Sequence, residues 1–369
     1  MEMPKIKDVA AYLESLVPRA LQESYDNTGL LTGDPNARVL GILATLDCTE
    51  SVVDEAISLK SNLIVAHHPI IFKGLKKLTG QTYVERTVIK AIKNNVAIYT
   101  AHTNLDNVYQ GVNKKIAEKI GLKNTKILAP RKGTLSKLVA FVPKEHLEEV
   151  TNKLHEAGAG QIGNYKNCSF QIPGTGVYLP TNDAKPFMGK PGQRETVNEV
   201  RLEVLLPTHL ETSILEALRS SHPYEEVAYY LNRVENENQE IGAGLLGETA
   251  NPEEPIQFLM RLKKQMNVSV IRHTPLLLDR PVVQRVAVCG GAGSFLLPEA
   301  ISQGVDVFIS ADFKYHEFFD ADGKIIIADI GHYESEQFTK ELFIEVLSKK
   351  FHTFAINFSK TVTNPISYL

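Results

Sequence analysis

The sequence predicts an α/β protein: a mostly parallel sheet forms a host domain that an inserted ferredoxin-like α+β domain splits in two. Three observations predict this. Apolar strands alternate with amphipathic helices over the first 125 residues, and the same alternation returns from residue 283. Between them the order becomes strand-helix-strand-strand-helix-strand. The expected boundaries are 1–129 with 236–369 for the host and 130–235 for the insert. A chain of 369 residues is long enough for two or three domains.

Each element has its own signal. Val9, Leu13, Leu16 and Val17 share one face of a helix over 7–17. Residues 39–47 read as a buried strand, followed by a helix opening at Thr49 or Ser51. A second apolar strand spans 62–68, a helix lies near 83–94, and a strand follows over 96–102. The helix after Gly111 closes near Gly121. Strands over 135–143, 164–172, 199–207 and 226–234, with helices over 144–158 and 209–221, make up the insert. A polar, Gly/Pro-rich loop at 180–195 joins its middle strands. The host resumes with strands at 283–291, 305–312 and 324–332 and a helix over about 335–349.

Composition narrows the function classes. Forty basic residues face 43 acidic ones, for a formal charge of -3, without the basic excess of a nucleic-acid binder. No apolar run approaches a membrane span, and the first residues mix charges where a signal peptide would be apolar. Cys48, Cys168 and Cys289 form no CxxC pair, so no disulfide framework or zinc ribbon is implied. These features predict a cytoplasmic protein.

The chemistry concentrates where the host strands end, which is where open parallel sheets bind ligands. Strand 39–46 ends at Asp47, strand 62–66 at His67-His68-Pro69, and strand 96–101 at His102, with Asp106 four residues on. Strand 305–310 runs into Asp312, Lys314 and His316. The last host strand ends at Gly331-His332, and Glu336 lies one helical turn later on the same face. Adjacent histidines within a strand would diverge, but past its end both rings can turn to one site or serve two neighbouring metals. Imidazole with carboxylate suits zinc, manganese, iron or nickel. His67, His68, Asp106, His332 and Glu336, with His102 as a sixth, outnumber the needs of one ion and match two that share a carboxylate. His146, His155, His209, His222, His273 and His352 read as ordinary surface or core residues, and Cys48 as a small buried hydrophobe. The turn at 289–295 either offers amides to a phosphate or is simply tight.

Six motifs then resemble one family in kind and order: YDNTGLLTGD (25–34), AHHPIIFKG (66–74), HTNLD (102–106), GGAGS (290–294), SADFKYHE (310–317) and GHYESE (331–336). The chain is similar to the GTP cyclohydrolase I type 2 or NGG-interacting-factor-three-like family, in its long form. The resemblance covers 1–125 and 240–369, and Tyr25 stands where relatives often carry tryptophan. It implies that His67, His68, Asp106, His332 and Glu336 hold two divalent transition metals per chain: zinc, iron or manganese. The insert resembles a PII-like domain, most clearly at SHPYEEVAYY (221–230). A ring-shaped homohexamer is implied as well.

The implied activity is metal-dependent hydrolysis that opens the guanine ring of GTP and releases formate. His102 or His316 would move protons, and Lys314 with the 290–294 turn would take the triphosphate. The alternative expectation is a metal-carrying regulatory scaffold without turnover, whose insert senses a small effector.

Overall fold

The computed structural model describes residues 3–277 and 281–369. It divides into two units, residues 1–130 with 240–369 and residues 131–239. The first stretch contributes strands β1 (Gly29–Thr32), β2 (Gly41–Thr45), β3 (Leu63–Ala66), β4 (Ala97–Thr100) and β5 (Lys123–Pro130). Its helices are α1 (Ile6–Leu16), α2 (Glu50–Ser58), α3 (Tyr83–Lys93), α4 (Thr103–Asp106) and α5 (Val112–Lys119). The second unit holds β6 (Leu135–Pro143), α6 (Leu147–Glu156), β7 (Phe170–Tyr178), β8 (Glu195–Pro207), α7 (Glu211–Ser221) and β9 (Tyr229–Val234). The chain then returns to the first unit through β10 (Gly242–Glu253), β11 (Arg272–His273), β12 (Val283–Ala292), β13 (Val307–Ala311), β14 (Ile326–Asp329) and β15 (Ala355–Phe358). The helices of this last stretch are α8 (Pro255–Gln265), α9 (Leu297–Ser302), α10 (His332–Glu336) and α11 (Thr339–Ser348).

The host is mixed α/β with two sheets, where the sequence led us to expect one mostly parallel sheet. The first sheet runs β1-β4-β3-β2-β15 and the second β11-β14-β13-β12-β10-β5. Each has a parallel heart: β2, β3 and β4 in one, β12, β13 and β14 in the other. Antiparallel partners flank them, β1 on β4, and β10 and β11 on β12 and β14. The long β5–β10 ribbon, which sequence reading had not recognised as strands, accounts for much of the antiparallel pairing.

The parallel strands are apolar on both faces because both faces are covered. Val65, Tyr99, Val286 and Ile309 face a central core shared by both sheets with α1, α5, α8 and α11. Leu43, Ile64 and Ile98 turn outward against α2 and α3, while Ala287, Phe308 and Ile327 pack on α9 and its neighbours. The single helix expected over 335–349 is two, α10 and α11, with a break at Gln337–Phe338.

In unit 2 the sheet order is β7-β8-β6-β9, antiparallel throughout. Leu138, Leu202 and Val204 on one face bury against Val150 and Leu154 of α6 and Ile214 and Leu218 of α7. The second strand of the unit, β7, starts later than expected, at Phe170, after a turn that places Ile162 opposite Tyr165.

Candidate metal centre

Strand ends deliver the side chains. The amides of His67 and His68 both donate to the Leu46 carbonyl as β3 leaves the sheet, which holds the two residues past the end of β2. His102 precedes α4, and Asp106 closes that single turn by donating its amide to the His102 carbonyl. His332 opens α10 after Gly331, whose φ of +90° suits only glycine comfortably, and Glu336 ends the same turn.

Two sets of donors meet around one carboxylate. On one side, His67 Nε2 lies 3.6 Å from Asp106 Oδ1 and 3.8 Å from Glu336 Oε1. On the other, Glu336 Oε2 lies 3.0 Å from His68 Nε2 and 3.2 Å from His332 Nε2, with the two ring nitrogens 3.4 Å apart. His102 adds a ring nitrogen within 4.8 Å of those of His67 and His68. These groups could hold a metal ion.

Each imidazole is oriented through its other nitrogen. His67 Nδ1 donates to the Ala101 carbonyl at 2.9 Å, leaving Nε2 as a lone-pair donor to a metal. His68 Nδ1 meets Asp47 at 2.7 Å, His332 Nδ1 meets Asp312 at 2.6 Å, and His102 Nδ1 meets Asp26 at 2.9 Å. Carboxylate-anchored histidine is the usual outer support of a metal site.

The fit to a cation rests on two orphaned atoms. His67 Nε2 and Asp106 Oδ1 are buried and have no hydrogen-bond partner. Such groups ordinarily find one, because leaving them bare costs about 1–3 kcal/mol. Two ligand atoms tetrahedrally arranged at about 2.1 Å from one ion stand about 3.4 Å apart. The separations above lie near that spacing.

The electrostatics agree. Burial pushes the Asp106 carboxyl up, and the Glu336 charge adds to the push. Burial opposes the ionisation of Glu336, yet the close approach of His332 and His68, at hydrogen-bond distance, with His67 nearby, holds it well below the usual carboxylate range. Burial also opposes a charge on His68, but Asp47 and Glu336 raise it to about 10, and Glu336 and Asp312 raise His332 to about 9. The same carboxylates that favour a positive charge on these rings would favour a cation between them, and metal binding would compete with protons. Burial raises the Cys48 thiol to about 12, so it is neither a ready ligand nor a nucleophile.

The glycine turn serves the carboxylate. The Gly290 amide donates to Asn113 Oδ1 and the Gly291 amide to Ser335 Oγ, so neither is free for a phosphate. Gly291 has φ +62°, and a Cβ there would stand 2.6 Å from Glu336 Oε1. The turn is bare because Glu336 needs the space. Lys314 and His316 are exposed and are not among the grouped donors, with the Lys314 amide held by Glu317 and the His316 ring against Tyr315.

Sequence reading missed Asp26 as the His102 anchor. Its carboxylate also takes Thr103 N at 3.0 Å and is held low by these bonds, against the burial that opposes its charge. It missed Thr363 too, whose hydroxyl donates to Asp47 Oδ2 at 2.6 Å. An aspartate 76 residues from its histidine leaves no local spacing to find.

Comparison with known proteins concerns the chain as a whole. The family model described as Duf34/NIF3 (NGG1p interacting factor 3) matches residues 4–365. A Bacillus subtilis protein named GTP cyclohydrolase 1 type 2 homolog is 38% identical over 370 residues, covering 98% of each chain. A crystal structure of a Bacillus cereus protein related to NIF3 superposes with a TM-score of 0.87 at 37% identity, over all of both chains. A Staphylococcus aureus structure superposes with a TM-score of 0.79 at 29% identity, again over all of both.

Proposed function

The chain belongs to the Duf34/NIF3 family, and from that premise we propose a metal-dependent hydrolase with a dinuclear centre that opens the guanine ring of GTP or a related purine nucleotide. The observation that carries the reading is the position of Glu336. One of its oxygens faces His67 and Asp106, and the other faces His68 and His332. A carboxylate shared by two donor sets is the arrangement of paired hydrolytic metals.

Bound there, two divalent transition metals would supply Lewis acidity toward a water and a substrate atom. The chain does the rest. Asp106 and His332 keep 25% and 37% of their side chains exposed, so substrate reaches the donors from solvent. His102, anchored on Asp26, keeps Nε2 available to hold and pass a proton beside His67 and His68. His316, exposed on the turn after β13, is the alternative proton carrier. With the Gly290 and Gly291 amides occupied, the triphosphate falls to Lys314, whose side chain is exposed. The proposal extends to a ring-shaped homohexamer and to a PII-like character for unit 2. The βαββαβ order and the antiparallel sheet of that unit support the latter.

A scaffold that carries metal without turnover is the second reading, favoured by the cavity of unit 2, which offers a place for an effector. Formate release from GTP by zinc- or manganese-loaded protein, with Glu336→Ala as the blank, separates the two. Release that the variant abolishes establishes the hydrolase. Metal-loaded protein that releases no formate from any purine nucleotide gives the scaffold the lead.

A further inference from the structure

We propose that unit 2 carries a binding site of its own for a small organic cation, anchored by Glu199, in the cavity over the open face of its sheet. Along β8, Val200, Leu202, Val204 and Leu206 are buried on the helix side, so Glu199, Arg201 and Glu203 lie on the other. Register places Gly174 opposite Glu199, and both Phe141 and Ile172 opposite Arg201. Over this face lies a cavity of about 790 Å³, roofed by residues of the 180–195 loop and the turn at 224–226. That volume suits a small-molecule ligand.

Glu199 is only 8% exposed, and a carboxylate so buried needs partners. Oε1 accepts a hydrogen bond from the Tyr224 hydroxyl at 2.9 Å. Oε2 has no hydrogen-bond partner among the described residues. It rests against Gly176, where a Cβ would come within 2.0 Å of it. Arg201, the cation on the same face, is turned to Glu203, with Nε at 2.9 Å and Nη2 at 2.8 Å from Oε1. The cavity therefore contains the Glu199 carboxylate, for which the Tyr224 hydroxyl is the one hydrogen-bond donor among the described residues.

The walls complete the chemistry. The Tyr224 ring stands 6.1 Å from Tyr178 and 6.2 Å from Phe187, and all three line the cavity. Aromatic faces beside a carboxylate attract an ammonium and its apolar body. Glu225 and Glu226 also line it, so three carboxylates face one arginine that is already paired. This balance disfavours phosphates, nucleotides and carboxylates. The ligand class is an amine with a hydrophobic body.

Two probes of the same shape and opposite charge test this on the full chain: 2-phenylethylamine and 3-phenylpropanoate, titrated by calorimetry. The amine is expected to bind saturably, one per chain, and the carboxylate to give no saturable heat. Glu199→Gln, which keeps the size of the side chain and its bond to Tyr224, should weaken the amine by about tenfold or more. Gly176→Ala drives a methyl into the Glu199 carboxylate and provides a second variant with the same expected loss. Three results overturn the proposal: no saturable amine binding, carboxylate binding as tight as the amine, or unchanged amine affinity in both variants.

Discussion

The donor cluster of unit 1 and the cavity of unit 2 both set carboxylates against rings, and they differ in how firmly each group is held. In the cluster every histidine has its second nitrogen occupied, by the Ala101 carbonyl, Asp47, Asp26 or Asp312. In the cavity Glu199 is held by Tyr224 alone, and the aromatic faces of Tyr178, Tyr224 and Phe187 line the same space. The difference follows from what each place can bind. A transition metal accepts its donors within a few tenths of an ångström, so each needs a support of its own. An ammonium over aromatic rings tolerates much looser placement. The degree of anchoring thus indicates the kind of ligand before any ligand is seen.

The sharpest break of this comparison is Glu336→Ala. It removes the one residue common to both donor sets, and metal per chain, read by elemental analysis, should fall to near zero. Amine binding in unit 2 should not change. Retention of full metal content would show that the ligands have been assigned wrongly. Asp47→Asn and Asp312→Asn are next, since they leave every donor in place and remove only its support. Each should weaken metal about 10- to 100-fold in competition with a chromophoric chelator, without unfolding the chain. Affinities equal to the native chain would mean that the anchors are incidental.

Gly291→Ala comes third. The positive φ alone costs about 1 kcal/mol, and the methyl also pushes on Glu336. A lower melting temperature together with weaker metal binding is expected, and a melting temperature equal to the native one would contradict the clash. The smallest effect on unit 1 belongs to Glu199→Gln. Metal content there should match the native chain, and any loss would mean that the two places are not independent.

How much of this was legible in the sequence depended on the distance over which each group finds its partner. Strand and helix positions in the host followed from local periodicity, because β2, β3, β4, β12, β13 and β14 are buried on both faces and read as continuous apolar runs. The candidate donors were visible because a strand end is a local feature, and the turn from His332 to Glu336 is visible at i and i+4. The division of the host into two sheets was not visible. The β5 and β10 strands carry half-exposed, mixed patterns, and they pair across an intervening unit of more than a hundred residues.

The sequence by itself therefore determined the α/β character, the positions of the apolar host strands and the candidate imidazoles and carboxylates at their ends, since propensity and side-chain period act over a few residues. Only the tertiary structure decided that β3 and α10, some 268 residues apart, bring His68 and Glu336 to 3.0 Å. It also decided that Gly290 and Gly291 spend their amides on Asn113 and Ser335, and that Glu199 is buried with one oxygen left over. The reason is physical. The partner of a buried polar group is whatever the packing of distant elements brings within about 3 Å, and no local pattern encodes that distance.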